Sequence, residues 1–300
     1  MREEVRKIQE LLRRQAYVTD AAVATSLYLA MQLGKPLLVE GPAGVGKTEI
    51  AKVLAGALDA NLVRLQCYEG LDAATALYEW NYSKQLLHIK LQEATAASAA
   101  EKEAAIFSEP FLLKRPLLEA ITHQTRSPVL LIDEVDRSDE EFEAFLLEVL
   151  SEFQVTIPEI GPIKATHRPH VVLTSNRSRD LSDALRRRCL YLWIDYPSFE
   201  KELEIVRAKV PAISEALSAD LTRVIQAIRK LNLAKVPGVA ETLDWAEALF
   251  ALNTLQLGPE VIAETAGCFL KDEADLRKLQ TELSNGRLKE MSGVFAGEQC

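Results

Sequence analysis

Cysteine and histidine are both scarce in this 300-residue chain, with four of each. The cysteines, Cys67, Cys189, Cys268 and Cys300, are scattered without a CxxC pair. That spacing excludes a disulfide framework and matches no zinc site, so reduced thiols and a cytoplasmic setting are expected. His167 and His170 stand together in ATHRPH, a spacing that could ligate a metal. With no third ligand nearby, solvated loop histidines are the favoured reading. Long apolar runs are missing too. AAVATSLYLAMQLG (21–34) is too short and too interrupted to span a bilayer, and MREEVRKIQELLRRQ at the start has no signal-peptide core. A soluble chain follows, with peripheral membrane attachment left open. The chain also lacks a cationic excess: 35 basic against 44 acidic residues give a formal charge of −9. This argues against a general polyanion-binding surface, and nucleic acid is not an expected partner.

What is present is an alternation of strand and helix signals in the first half. Short apolar runs at PLLVE (36–40), NLVRLQC (61–67), SPVLLIDE (127–134), HVVLTSN (170–176) and CLYLWID (189–195) are separated by helical periodicity. Their near-continuous hydrophobicity suits buried parallel strands, so an α/β fold with a five-stranded parallel sheet is predicted. An insertion at 71–106 includes LQEATAASAAEKEAA, which is almost pure helix-former with little apolar face, and reads as a solvated or partner-facing helix. After WIDYPS only amphipathic helices are predicted, which places a boundary near Pro197. The domains expected are therefore 1–197, an α/β core with helical insertion and β-hairpin, and 198–300, all helical. The tail LKEMSGVFAGEQC (288–300) is expected to fray.

GPAGVGKT (41–48) fits GxxxxGK[ST] at every fixed position, after a predicted strand and before a predicted helix. Such a loop turns backbone N–H groups around phosphates, and the helix N-terminus adds partial positive charge. Pro42, Ala43, Gly44, Val45, Gly46, Lys47, Thr48 and Glu49 form the expected phosphate-binding set, with Lys47 reaching the β- and γ-phosphates of ATP and the Thr48 hydroxyl offered to Mg²⁺. The same chemistry needs a metal-holding carboxylate and a group that polarises water. VLLIDE supplies both in Asp133 and Glu134. The bland alternative is a helix-cap region, since Ser138 and Glu141 have capping-box spacing. HVVLTSN ends in Ser175 and Asn176, and Asn176 is a candidate for positioning the attacking water if the strands lie side by side.

Downstream, EEFEAFLLEVL sets Phe142, Phe145, Leu146, Val149 and Leu150 at helical spacing, which reads as core packing. The following QVTIPEIGPIK is interrupted by Pro and Gly, has few ways to pack as a regular strand, and is expected to protrude. LRRRCLYLWI (185–194) gathers three arginines at the mouth of a buried strand, which demands solvent or an anion. Arg186 fits a solvated helix end.

With GPAGVGKT, LLIDE and LTSN in this order, followed by LRRRC and a helical region, the chain resembles the AAA+ ATPases over essentially all its length. LLIDEVDR followed by EEFEAFLLEVLSEFQVTI is similar to the MoxR branch. CYEGLDAATALYEWNYSKQLL, PEIGPIKA and LRRRCLYLWIDYP most resemble its CoxD-like group, linked to maturation of the molybdenum–copper carbon monoxide dehydrogenase and related molybdenum hydroxylases. The resemblance implies an AAA+ P-loop core followed by an all-α lid, ATP and Mg²⁺ as cofactors, and an ATP-hydrolysing ring, commonly a homo-hexamer. It further implies remodelling of a client molybdenum hydroxylase together with a partner carrying a von Willebrand factor A domain. By similarity Lys47 and Thr48 are Walker A residues, Asp133 and Glu134 Walker B, Asn176 sensor 1, and Arg188, with Arg187 as alternative, the finger reaching a neighbour's γ-phosphate. Tyr17 and Val18 align with the segment contacting adenine. One departure stands out: the arginine usual at the start of a lid helix is replaced by Ala240 in PGVAETLDW, so either Lys235 substitutes or the lid senses nucleotide less directly. A DNA-acting motor or loader on the same core, and a non-catalytic nucleotide-dependent scaffold, are the competing functions.

Overall fold

The computed structural model describes residues 2–92 and 98–294. These divide into two compact units, one of residues 2–8, 21–40 and 48–193, the other of 9–20, 41–47 and 194–294.

The first unit is built on nine strands among the described residues: β1 (Leu37–Glu40), β2 (Leu62–Gln66), β3 (Tyr78–Trp80), β4 (Leu112–Lys114), β5 (Val129–Asp133), β6 (Gln154–Ile157), β7 (Gly161–Lys164), β8 (His170–Ser175) and β9 (Leu190–Trp193). Five form one sheet in the order β2-β5-β8-β1-β9, with every pair parallel. These are the five strands expected from the apolar runs. β1 and β5 are buried along their full length, as strands covered on both faces must be, whereas edge strand β2 alternates exposed and buried positions. Register sets the geometry of the site: Glu40 lies level with Ser175 and with Trp193, and Gln66 with Asp133, so the polar strand ends share one edge. The core includes Leu38, Leu130, Ile132, Leu146 and Leu173. From the helix Glu140–Glu152, Phe142, Leu146, Val149 and Leu150 are buried and Phe145 packs against them, as the spacing predicts.

The structure departs from the sequence pattern at three places. QVTIPEIGPIK forms the expected β-hairpin, but with regular strands: β6 and β7 pair antiparallel, and Val155 and Ile157 are buried in the core. In a two-stranded ladder each strand has an open edge, where a missing proline N–H costs little. The cap of the helix Glu140–Glu152 is Asp139, whose carboxylate accepts from Phe142 N; the Ser138 hydroxyl instead donates to Val135 O at 2.8 Å. The stretch 91–105 is not a single helix: Tyr82–Leu91 ends at its first residue, and Ala99–Ile106 begins within it. β3 and β4 pair antiparallel and flank the helices Tyr82–Leu91 and Ala99–Ile106, the second started by a capping box of Ser98 and Glu101. Gln85 is buried and ties the two helices through Ile106 O at 2.8 Å. Residues 93–97 of the helix-former stretch lie outside the described residues.

The second unit contains the helices Phe199–Lys209, Glu215–Arg229, Val239–Ala251, Pro259–Thr265, Glu273–Ser284 and Arg287–Ser292. Its core includes Val206, Leu221, Ile225, Trp245, Leu249 and Phe269. Residues 288–292 do not fray: Leu288 and Val294 are buried, so this part of the tail is held by packing, while 295–300, with Cys300, lie outside the described residues. Within this core Glu202 is fully buried and receives both terminal nitrogens of Arg229 at 2.6 Å, the Gln226 amide at 2.7 Å and the Thr242 hydroxyl at 2.8 Å. Removing one partner of a buried pair strands the other charge. Arg229→Met is therefore expected to destabilise the protein by about 3–5 kcal/mol, read as a lowered urea midpoint; an unchanged midpoint would contradict the network's role.

Candidate functional site

β1 leads directly into the glycine-rich loop, and the helix Lys47–Ala57 begins at its end. Gly44 adopts a φ of +75°, and a Cβ there would lie 3.0 Å from the Gly238 Cα, so both its conformation and its surroundings require glycine. Lys47 is 7% exposed, and its ammonium donates to Gly41 O at 2.7 Å and Pro42 O at 2.6 Å, folding the loop around its own lysine. Gly44 O accepts from Val239 N at 2.8 Å and Ala240 N at 3.1 Å. The first turn of the helix Val239–Ala251 thus meets the loop through backbone amides. Ala240 acts there by its N–H, and Lys235 is held by its backbone N on Asp275 while its side chain is exposed. Ala43 is exposed; Pro42, Val45, Gly46 and Glu49 are half-buried, and Glu49 pairs with Lys52. Tyr17 and Val18 are half-buried, with Tyr17 N donating to Leu12 O at 3.1 Å.

In the first unit, Asp133 ends β5 and is 3% exposed. Its Oδ1 accepts from the Thr48 hydroxyl at 2.9 Å and the Thr174 hydroxyl at 2.5 Å, and its Oδ2 accepts from Arg64 Nη2 at 2.6 Å. Thr174 also receives Glu134 N at 2.9 Å. That bond holds Glu134 in a left-handed conformation (φ +55°), which a non-glycine residue adopts only when its surroundings impose it. The Glu134 carboxylate stays partly exposed, 3.2 Å from Arg137 Nη1. A hydroxyl and a carboxylate converging in this way form a hard oxygen set, which fits Mg²⁺ rather than a softer metal. Cys67, whose N donates to Asp133 O at 2.8 Å, contributes no nucleophile: burial and the charges of Asp133, Asp136 and Glu134 push its thiol up to about 12.

Beyond β8, Asn176 is exposed, but its backbone is fixed. Buried Asp136 accepts from Asn176 N at 3.2 Å, Ser178 N at 2.8 Å and Ser178 Oγ at 2.7 Å. Burial pushes the Asp136 carboxyl up, yet the bonds from Ser178 and Asn176 outweigh it and hold the carboxyl below its ordinary value. A depressed carboxyl stabilises above the unfolded value, near 3.8, and loses that contribution as pH falls through the folded one. Asp136→Asn is expected to cost about 2 kcal/mol at neutral pH, with the gap from wild type closing below about pH 4. A gap independent of pH in denaturation experiments would contradict this.

The three arginines separate. Arg186 is not solvated as a helix end; its Nη2 lies 2.9 Å from Oε1 of Glu40, a carboxylate only 1% exposed. Tyr191 OH donates to Glu40 Oε2 at 3.0 Å, and Arg177 Nε lies 3.8 Å from the same oxygen. Arg187 and Arg188 are exposed at the end of the helix Asp183–Arg188, with no hydrogen bond or ion pair among the described residues. That helix is anchored by Glu143, which accepts from Ser182 N at 2.9 Å and pairs with Arg179. His170 begins β8 and burial lowers its pKa; no group of three or more potential metal ligands from His, Cys, Asp and Glu occurs among the described residues.

The expected loop, Asp133, Glu134 and Asn176 were visible as strand-end motifs. Thr174, Arg64, Asp136 and the Glu40–Arg186 pair were not, because each acts through a partner distant in the chain. LTSN did contain the threonine, and a hydroxyl one strand over from a buried aspartate was the available signal.

A parallel sheet in this order, with a glycine-rich loop after β1 and an acidic pair after β5, defines a P-loop ATPase of the AAA+ class. The chain belongs to the AAA domain family, dynein-related subfamily, which matches residues 36–189. Protein CbbQ of Hydrogenophilus thermoluteolus is 25% identical over 245 residues, covering 81% of this chain and 83% of that protein. An uncharacterized protein of Staphylococcus haemolyticus, SH1500, is 22% identical over 82% of this chain and 87% of its own length. A RuvB variant of Thermotoga maritima shares the fold, with a TM-score of 0.50 at 18% identity over 97% of this chain and 83% of that one. The chain is accordingly an AAA+ ATPase of the MoxR and CbbQ type. No helix among the described residues is long and apolar enough to cross a membrane.

Proposed function

We propose that this protein couples Mg²⁺-dependent ATP hydrolysis to remodelling of a client molybdenum hydroxylase, as a CoxD-like member of the MoxR branch. The observation that carries the hydrolytic part is the convergence of Thr48 and Thr174 on Asp133, with the same threonine holding Glu134 N. In this reading Lys47 and the loop amides bind the β- and γ-phosphates, Thr48 and Asp133 hold the metal, Glu134 takes the proton of the attacking water, and Asn176 orients it. Bound Mg²⁺ supplies neutralisation of charge on the β- and γ-oxygens. Tyr17 and Val18 serve the adenine.

AAA+ proteins commonly form rings, and exposed Arg188 and Arg187 are the candidates to serve a neighbour's phosphate in a homo-oligomer, hexameric by resemblance. Residues 1–197 act as the nucleotide-binding core and 198–300 as the lid, in a cytoplasmic setting. The client assignment, and a partner with a von Willebrand factor A domain, rest on the stretches at 67–87, 158–165 and 185–197. The hairpin tip, with exposed Glu159 and Ile160, is the proposed client contact. Producing a molybdenum hydroxylase with and without this protein and measuring bound molybdenum and copper tests the assignment. Equal metal content in both preparations, with the ATPase active, would refute the client while leaving the hydrolytic reading intact.

A further inference from the structure

β2 is an edge strand whose Val63 and Leu65 point into the core, leaving Leu62, Arg64 and Gln66 on the other face. In register Gln66 lies opposite Asp133 and Arg64 opposite Leu131, so Arg64 is the diagonal neighbour of Asp133, within reach of a long side chain. It uses that reach. One guanidinium nitrogen bonds both Gln66 Oε1 and Asp133 Oδ2 at 2.6 Å, with the Arg64 side chain 51% exposed and that of Asp133 4%.

A buried carboxylate needs a compensating positive charge. On Asp133 the two hydroxyls of Thr48 and Thr174 share Oδ1, and Arg64 supplies positive charge at Oδ2. A second cation at the same carboxylate would meet the first at short range, so the two compete. Resting on the ATPase reading above, we propose that Arg64 is a positioning residue that Mg²⁺ must displace from Asp133, so that metal enters with the nucleotide's phosphates and not by itself. Gln66, already bonded to the guanidinium, keeps Arg64 beside the site after displacement, ready to return when metal and product leave.

The test is a Mg²⁺ titration of the full chain carrying a fluorescent ADP analogue, bound first in EDTA. Arg64→Gln removes the charge and is expected to lower the Mg²⁺ concentration at half-saturation about fivefold, the value of a half-exposed ion pair. Arg64→Met should behave the same way, and Arg64→Lys should stay near wild type. Half-saturation unchanged or raised in both neutral variants overturns the proposal. Loss of analogue binding in EDTA by both neutral variants overturns it too, since Arg64 would then be holding the fold of the site. Failure of the wild-type chain itself to bind the analogue both in EDTA and in excess Mg²⁺ would instead refute the nucleotide-site reading.

Discussion

Arg188→Ala is expected to lower ATP turnover about a thousandfold or more, some 4 kcal/mol of transition-state stabilisation, while nucleotide affinity of the isolated subunit hardly changes. In the proposed ring, register leaves this arginine to a neighbour's site. Leu190 lies level with Leu37 at the start of the parallel strands, and Trp193 with Glu40 at their far end, about 10 Å on. Arg188 precedes Leu190 by two residues, at the opposite end of the strands from Asp133 and Glu40. Free of any partner among the described residues, its charge can be given to a phosphate held by another copy, without first breaking a pair. Arg187→Ala distinguishes the alternative finger. Arg186→Ala should behave differently from both, lowering stability by leaving buried Glu40 without its nearest guanidinium. Phosphate release measured across protein concentration decides the matter: activity in a strictly monomeric protein that does not depend on concentration would sink the finger.

The second large effect concerns Glu134. Glu134→Gln is expected to reduce hydrolysis by about 10²–10⁴-fold, the usual contribution of a general base, with ATP binding preserved. Glutamine keeps the size of the side chain and the backbone bond to Thr174, so the left-handed turn that presents residue 134 survives. The carboxylate's charge is lost, and with it proton acceptance and the ion pair to Arg137. The check is single-turnover phosphate release alongside fluorescent-nucleotide affinity; a variant that hydrolyses at the wild-type rate removes Glu134 from the mechanism.

Where the chain could be read directly, the information was local. The apolar runs at 37–40 and 129–133 have no polar residue until their last position, a pattern that only a strand buried on both faces tolerates, and the polar residue at each end falls on the same edge of the sheet. The glycine-rich loop follows from the same logic, since Gly44 and Gly46 take positive φ. The departures are local as well. The alternative capping box at Ser138 lies one residue early because Asp139 takes that helix start, and proline counts for little in a hairpin with open edges.

By itself, then, the sequence determined the five strands, the phosphate loop and the acidic pair, because backbone periodicity and glycine chemistry act over a few residues. Only the tertiary structure decided which charge meets which. Arg186 finds Glu40 across 146 residues, Arg64 finds Asp133 across 69, and Gly44 meets the amides of Val239 and Ala240. Composition counts arginines but cannot say which of them are already engaged. Strand register and burial can, because a carboxylate taken out of water must keep the cation that the fold brings to it.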